Sequence, residues 1–225
     1  MIRGIIRGAA MVALLGTLAV TTACSSIQVA DGGKMSGGKN LFMGKIDVGS
    51  NATVGGELST NNGSIRVGDE AVVKNLRTKR GNIGIGRGTT VEGGLTTGLG
   101  DIVLGENVNL TGGAVSENGT ITVNDGCKIG GSLRATSHIS VTNSEIAQNV
   151  YSSQGNIDLV GTKVEGGVNL ERSTNVIADG GQTLTLGKGT VVEGPIKVSS
   201  NVRVRIHSSA KAKGGVTGVD PESFD

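Results

Sequence analysis

A five-residue unit, a turn residue followed by two aliphatics with one residue between them, returns every 18 or 19 residues, and this period constrains the fold more than any other feature. Gly44-Lys45-Ile46-Asp47-Val48 is followed by Gly63-Ser64-Ile65-Arg66-Val67, Gly81-Asn82-Ile83-Gly84-Ile85, Gly100-Asp101-Ile102-Val103-Leu104 and Gly119-Thr120-Ile121-Thr122-Val123. Looser copies begin at Ser137, Gly155, Gln182 and Ser200, the last read as Ser200-Asn201-Val202-Arg203-Val204. About ten residues after the first motif comes a second, as in Val54-Gly55-Gly56-Glu57-Leu58, Val91-Glu92-Gly93-Gly94-Leu95 and Ile129-Gly130-Gly131-Ser132-Leu133. Alternation within each strand sends Ile46 and Val48 to one face and Asp47 to the other. One unit cannot bury that face alone. Stacked units can, each backbone pairing with the coil on either side.

The period therefore predicts an all-β fold, a single-stranded parallel β-helix: a three-sided β-solenoid of about 8–9 coils of 18–19 residues, spanning 44–218. Composition agrees with a thin core. There are 40 glycines, no tryptophan and only 1% aromatics, so Val, Ile, Leu and Ala must fill the interior. Residues 24–43 read as a linker and imperfect first coil, and 219–225 as a polar tail. Between Val168 and Gln182 the register gains about nine residues. That insertion predicts an outward loop carrying Glu171, Arg172, Asn175 and Asp179, equally a tolerated surface excursion or an interaction feature.

The first 23 residues have another character. Arg3 and Arg7 precede an apolar stretch, Gly8–Val20, too short for a membrane-spanning helix, and small residues then lead to Ala23-Cys24. This order is that of a secretory signal. Its end resembles the lipobox of bacterial lipoproteins, with Thr21 where an aliphatic residue is usual. The resemblance implies cleavage between Ala23 and Cys24, a thioether-linked diacylglycerol on Cys24 and acylation of the new amine. Ser25, where a retention signal would carry Asp, implies the outer membrane. Multiple acyl chains anchor stably, whereas one is marginal. Removing the leader leaves equal numbers of basic and acidic residues, so net charge implies no nucleic-acid partner. Cys127, the other cysteine, falls at an inward position and reads as a small buried hydrophobe.

The outward rows carry little that would support catalysis. The row between paired aliphatics runs Asp47, Arg66, Gly84, Val103, Thr122, Ser140, Asp158, with no two carboxylates adjacent, so the paired acids of sugar hydrolysis are not expected there. Ser140, His138 and Asp158 lie close in the expected register, but alternate residues on a flat strand stand about 6–7 Å apart, too far for a nucleophile and its base. The aspartates of calcium-binding nonapeptide repeats are missing, and Thr-x-Thr ladders are sparse. We expect no catalytic residue, no metal and no cofactor. Tyr151 is the one aromatic candidate for a sugar platform. Lys74, Arg77, Lys79, Arg80 and Arg87 form a basic cluster. Arg203, Arg205 and His207 read as a solvated edge that discourages strand pairing.

The Gly-x-Ile-x-Val and Val-x-Gly-Gly-x-Leu units resemble those of bactofilins over roughly 44–216. That resemblance implies a triangular right-handed β-helix and end-to-end homo-oligomers formed without nucleotide. Bactofilins are typically cytoplasmic, whereas this chain carries an export leader, so shape transfers more readily than a cytoskeletal role. The sequence thus predicts a lipid-anchored envelope protein, not an enzyme, with a structural, self-association or interaction role. Its expected partners are membrane lipid through Cys24 and an envelope polysaccharide or protein. The alternative is a carbohydrate-binding or carbohydrate-active β-helix.

Overall fold

The computed structural model describes residues 26–171 and 181–225. Among these, every regular element is a short strand, and the strands form three parallel sheets in which each strand pairs with its counterparts one coil before and after. The first sheet runs from Ile27–Val29 to Glu222–Phe224 with eleven strands, the second from Lys34–Met35 to Lys211–Ala212 with ten, and the third from Lys39–Met43 to Val216–Thr217 with ten. The chain is a three-sided β-solenoid of about ten turns.

The aliphatic ladders are continuous. Ile27, Ile46, Ile65, Ile83, Ile102, Ile121, Ile139 and Ile157 are register partners in turn, followed by Leu184 and Val204. From Ile46 onward these side chains are buried, and each closes the apolar surface of the one beneath it. The insertion leaves this register intact, since Ile157 pairs with Leu184 across 27 residues and the sheet continues. Of the loop residues, Glu171 is exposed, while Arg172, Asn175 and Asp179 lie outside the described residues, as do Ala23 and Cys24.

Two corners explain the glycines. At the corner entering the first sheet, Gly81 has φ 143°, and a Cβ there would stand 2.2 Å from the carbonyl oxygen of Gly63 in the coil below. At Gly81 the stacked backbones leave no room for a side chain. At the corner leaving the first sheet, nine successive coils place a residue in the left-handed region: Gly32, Asn51, Glu70, Gly88, Asn107, Gly126, Asn143, Gly161 and Gly189. All but Glu70 are the residue types that enter it most readily.

The interior is not wholly aliphatic. In the third sheet Thr60, Thr78, Thr97, Ser116 and Ser152 point inward and are buried. Their hydroxyls donate to the carbonyl oxygens of Gly44, Gly63, Gly81, Gly100 and Ser137 at 3.2, 2.9, 2.9, 2.8 and 2.8 Å. A buried hydroxyl without a partner would be destabilising by roughly 1–3 kcal/mol, so this column doubles as corner bonding. Cys127 belongs to a similar inward column with Ala71, Thr89, Val108 and Ser144, and its thiol donates to the Gly105 carbonyl at 3.0 Å. Burial raises the Cys127 pKa, with Asp125 adding to the effect, so the neutral thiol is favoured.

The structure sharpens three sequence expectations at the ends. The first coil expected within 24–43 occupies residues 27–43 with one strand in each sheet, because Ile27-Gln28-Val29 has the required alternation without the leading glycine and pairs with Ile46–Val48. The last copy of the motif is displaced by two residues: Val204 and Ile206, not Val202 and Val204, align with Leu184 and Leu186. A two-residue slip preserves which face is buried, so alternation alone could not reveal it. The tail is the third. Glu222–Phe224 adds a strand beside Arg205–His207, whose side chains are therefore not a plain solvated edge. Arg205 lies over the Phe224 ring at 4.6 Å, His207 meets that ring edge-on at 5.4 Å, and Arg203 pairs with Glu222 at 3.5 Å.

Candidate functional site

Outward side chains of the third sheet make the most developed surface feature. The row reads Asn40, Ser59, Arg77, Thr96, Val115, Arg134, Tyr151, Asn169, Lys197, Thr217. Tyr151 takes its place because Val150 and Ser152 are inward and buried, which forces the residue between them out. The Arg134 guanidinium stands one coil below, 4.9 Å from the ring centroid, a cation–π distance that steadies both side chains. On one side of this pair is a groove of about 450 Å³ lined by Ser132, Asn149, Asn169 and Lys197 as well as by Arg134 and Tyr151. On the other is a second depression, of about 460 Å³, with Glu117, Thr136 and Ser153 on its walls.

The groove floor is held by corner hydrogen bonds. Asn149 Oδ1 accepts the Gly167 N–H at 2.8 Å, and the Ser132 hydroxyl donates to Gln148 Oε1 at 3.1 Å. Asn169 Nδ2 donates to Glu171 Oε1 at 3.0 Å, while its Oδ1 is enclosed with no hydrogen-bond partner among the described residues. The groove thus offers an aromatic ring, two cations and several amide and hydroxyl groups. These groups suit an acidic polyhydroxylated ligand. Only Tyr151 was legible as a candidate in the sequence. Arg134, Asn149, Asn169 and Lys197 come from different coils, and no local motif links them.

The remaining polar clusters are sparser. His138 Nε2 reaches Asp158 Oδ2 at 3.5 Å, with Ser140 in register beside Asp158, but no hydrogen bond joins Ser140 to His138. Both partners of that pair are more than a third exposed. Among the described residues, no group of three or more His, Cys, Asp or Glu side chains could hold a metal ion. The basic cluster is split by the fold. Arg77, Lys79 and Arg80 share one strand of the third sheet, while Arg87 sits at another corner, 3.8 Å from Asp69. On the second sheet Lys128, Glu145 and Lys163 alternate in charge, and the neighbouring Glu165 carboxylate, 3.0 Å from Lys163 Nζ, raises that lysine's pKa.

Fold and site together define a class: a parallel β-solenoid with a shallow cationic-aromatic groove on one face. No protein-family model matches the chain, and comparison with curated proteins and with solved structures gives no match.

Proposed function

We propose that this chain is a bacterial envelope lipoprotein, held in the membrane by acylated Cys24, whose mature part is a rigid non-catalytic rod. Its role is structural, through self-association or through display of an interaction surface, and its compartment is the cell envelope with the outer membrane favoured. One observation carries the reading: the coils keep one register from Ile27 to Phe224, on both sides of the insertion. At ~4.8 Å per coil, ten coils make a shaft roughly 50 Å long, stiffened by continuous ladders. Such a shape suits a spacer or scaffold. The leader ending in Ala23-Cys24 supplies the attachment, and the bactofilin-like repeat supports the polymer-forming variant of the role. The test is metabolic labelling with a fatty-acid probe followed by membrane fractionation. Label and membrane retention are expected in the natural chain and absent in Cys24→Ser; equal labelling of the two would reject the anchor.

A second reading, carbohydrate binding, is favoured by the groove beside Tyr151. Retention on an immobilised acidic polysaccharide is expected for the natural chain. Tyr151→Ala should weaken it about tenfold, the scale of one lost aromatic contact. Retention that is indifferent to Tyr151 would remove this reading.

A further inference from the structure

The first coil differs from those above it in ways that shaft-building does not require. Phe42 is 70% exposed and Met43 43% exposed, side by side at the end of the first strand of the third sheet. The pairing sets Phe42 opposite Asn61, then Lys79, Gly98 and Glu117 in the following coils. A solvated wall takes polar or small residues there, and only the first coil puts an aromatic ring in that row. The core is also open at this end. Ile27, Met35 and Leu41 are only partly buried, whereas Ile46 and Val54, directly above the first two, are closed off. Lys39 stands in register with buried Leu58, at the lip of that opening.

Charge at the same end is predominantly positive. Residues 26–45 include Lys34, Lys39 and Lys45, all exposed, against the single acid Asp31. Asp31 is already engaged, its carboxylate accepting the Ser50 N–H at 2.8 Å. A symmetrical contact between two first coils would bring these lysines together. An anionic surface would draw them in.

We infer that the first coil docks against the membrane, with Phe42 and Met43 at the headgroup–acyl boundary and Lys34, Lys39 and Lys45 on anionic headgroups. The inference rests on the anchoring proposed above. Two residues, Ser25 and Ser26, separate Cys24 from Ile27, a reach of about 11 Å at most over three Cα–Cα steps, so the acyl chains keep this coil beside the bilayer. Once the leader is removed, only Cys24 and Ser25 precede the described residues, too little chain to cover the open core. The bilayer interface covers it instead. The depth is limited: among the described residues no strand lies beyond the outer edges of Ile27–Val29, Lys34–Met35 and Lys39–Met43, and unpaired backbone groups do not enter hydrocarbon. The coil rests among headgroups, two apolar side chains dip further, and the lysine stems lie along the boundary with their ammonium groups in the polar layer.

The chain contains no tryptophan, so a single introduced indole reports one position. Acylated protein carrying Phe42→Trp is reconstituted into vesicles of phosphatidylethanolamine and phosphatidylglycerol, some with brominated acyl chains. Its emission is expected to shift to the blue and to be quenched by the brominated lipid. Val160→Trp, on an exposed first-sheet position roughly 30 Å further along the shaft at ~4.8 Å per coil, is expected to show neither effect. Vesicle-bound protein in which Phe42→Trp emits as in water, with no more quenching than Val160→Trp, overturns the docking. Protein that does not float with vesicles at all overturns the anchor, and the docking with it.

Discussion

Gly100→Ala is expected to destabilise the solenoid by about 3 kcal/mol or more, lowering the urea midpoint with little change in spectroscopic content before the transition. Two effects act together. Gly100 has φ 147°, a conformation that L-residues adopt reluctantly, and its Cβ would meet the Gly81 carbonyl oxygen at 2.3 Å and that carbonyl's carbon at 2.6 Å. Relief by moving the lower coil is resisted, because its backbone is already bonded. Gly81 donates to the Leu99 carbonyl at 2.8 Å, and its own carbonyl accepts the Thr97 hydroxyl at 2.9 Å. Gly84→Ala supplies the internal comparison. Nothing lies within 4 Å of a Cβ there, and its backbone is not left-handed, so it should be neutral or stabilising by ~0.5–1 kcal/mol through a less flexible unfolded chain. Equal losses in the two variants would show that the corner is not where glycine is required.

Ile121→Asp is expected to cost more, above about 4–5 kcal/mol at neutral pH. Ile121 is fully enclosed between Ile102 and Ile139, in a column of aliphatic neighbours that offers a carboxylate no cation. Burial would hold the introduced carboxyl in its protonated form, with its folded pKa above the unfolded value near 4. The unfolded chain would then release its proton first as pH rises, so the variant loses stability from about pH 4 upward until the folded pKa is passed. Urea midpoints for this variant, relative to the natural chain, should therefore be higher at pH 4 than at pH 7. Thr122→Asp, one residue on and facing outward, should change stability by no more than roughly 0.5 kcal/mol. If the two aspartates have similar effects, the ladders are not the source of the shaft's stability.

Legibility followed distance along the chain. The inward columns were visible in the sequence because alternation within three residues decides which side chains face the core, and the period of 18 or 19 aligns one coil with the next. Weak copies such as Gln182-Thr183-Leu184-Thr185-Leu186 aligned as expected. The first coil was legible only as an imperfect one, because Ile27-Gln28-Val29 lacks the preceding glycine that marks most of the other units. The buried hydroxyl column was missed for a different reason. Thr60, Thr78 and Thr97 look polar and therefore outward, until the corner carbonyl that each one meets is known.

The amino-acid sequence alone determined the class of fold, the inward faces and the position of the insertion, since all three depend on spacing. Tertiary structure alone decided that Glu222–Phe224 closes the first sheet, that Arg205 and His207 hold Phe224, and that Arg134, Tyr151, Asn169 and Lys197 share one groove. Those groupings join residues a coil or more apart through side-chain reach and stacking. A period-two pattern is indifferent to a two-residue slip, but a cation over a ring is not.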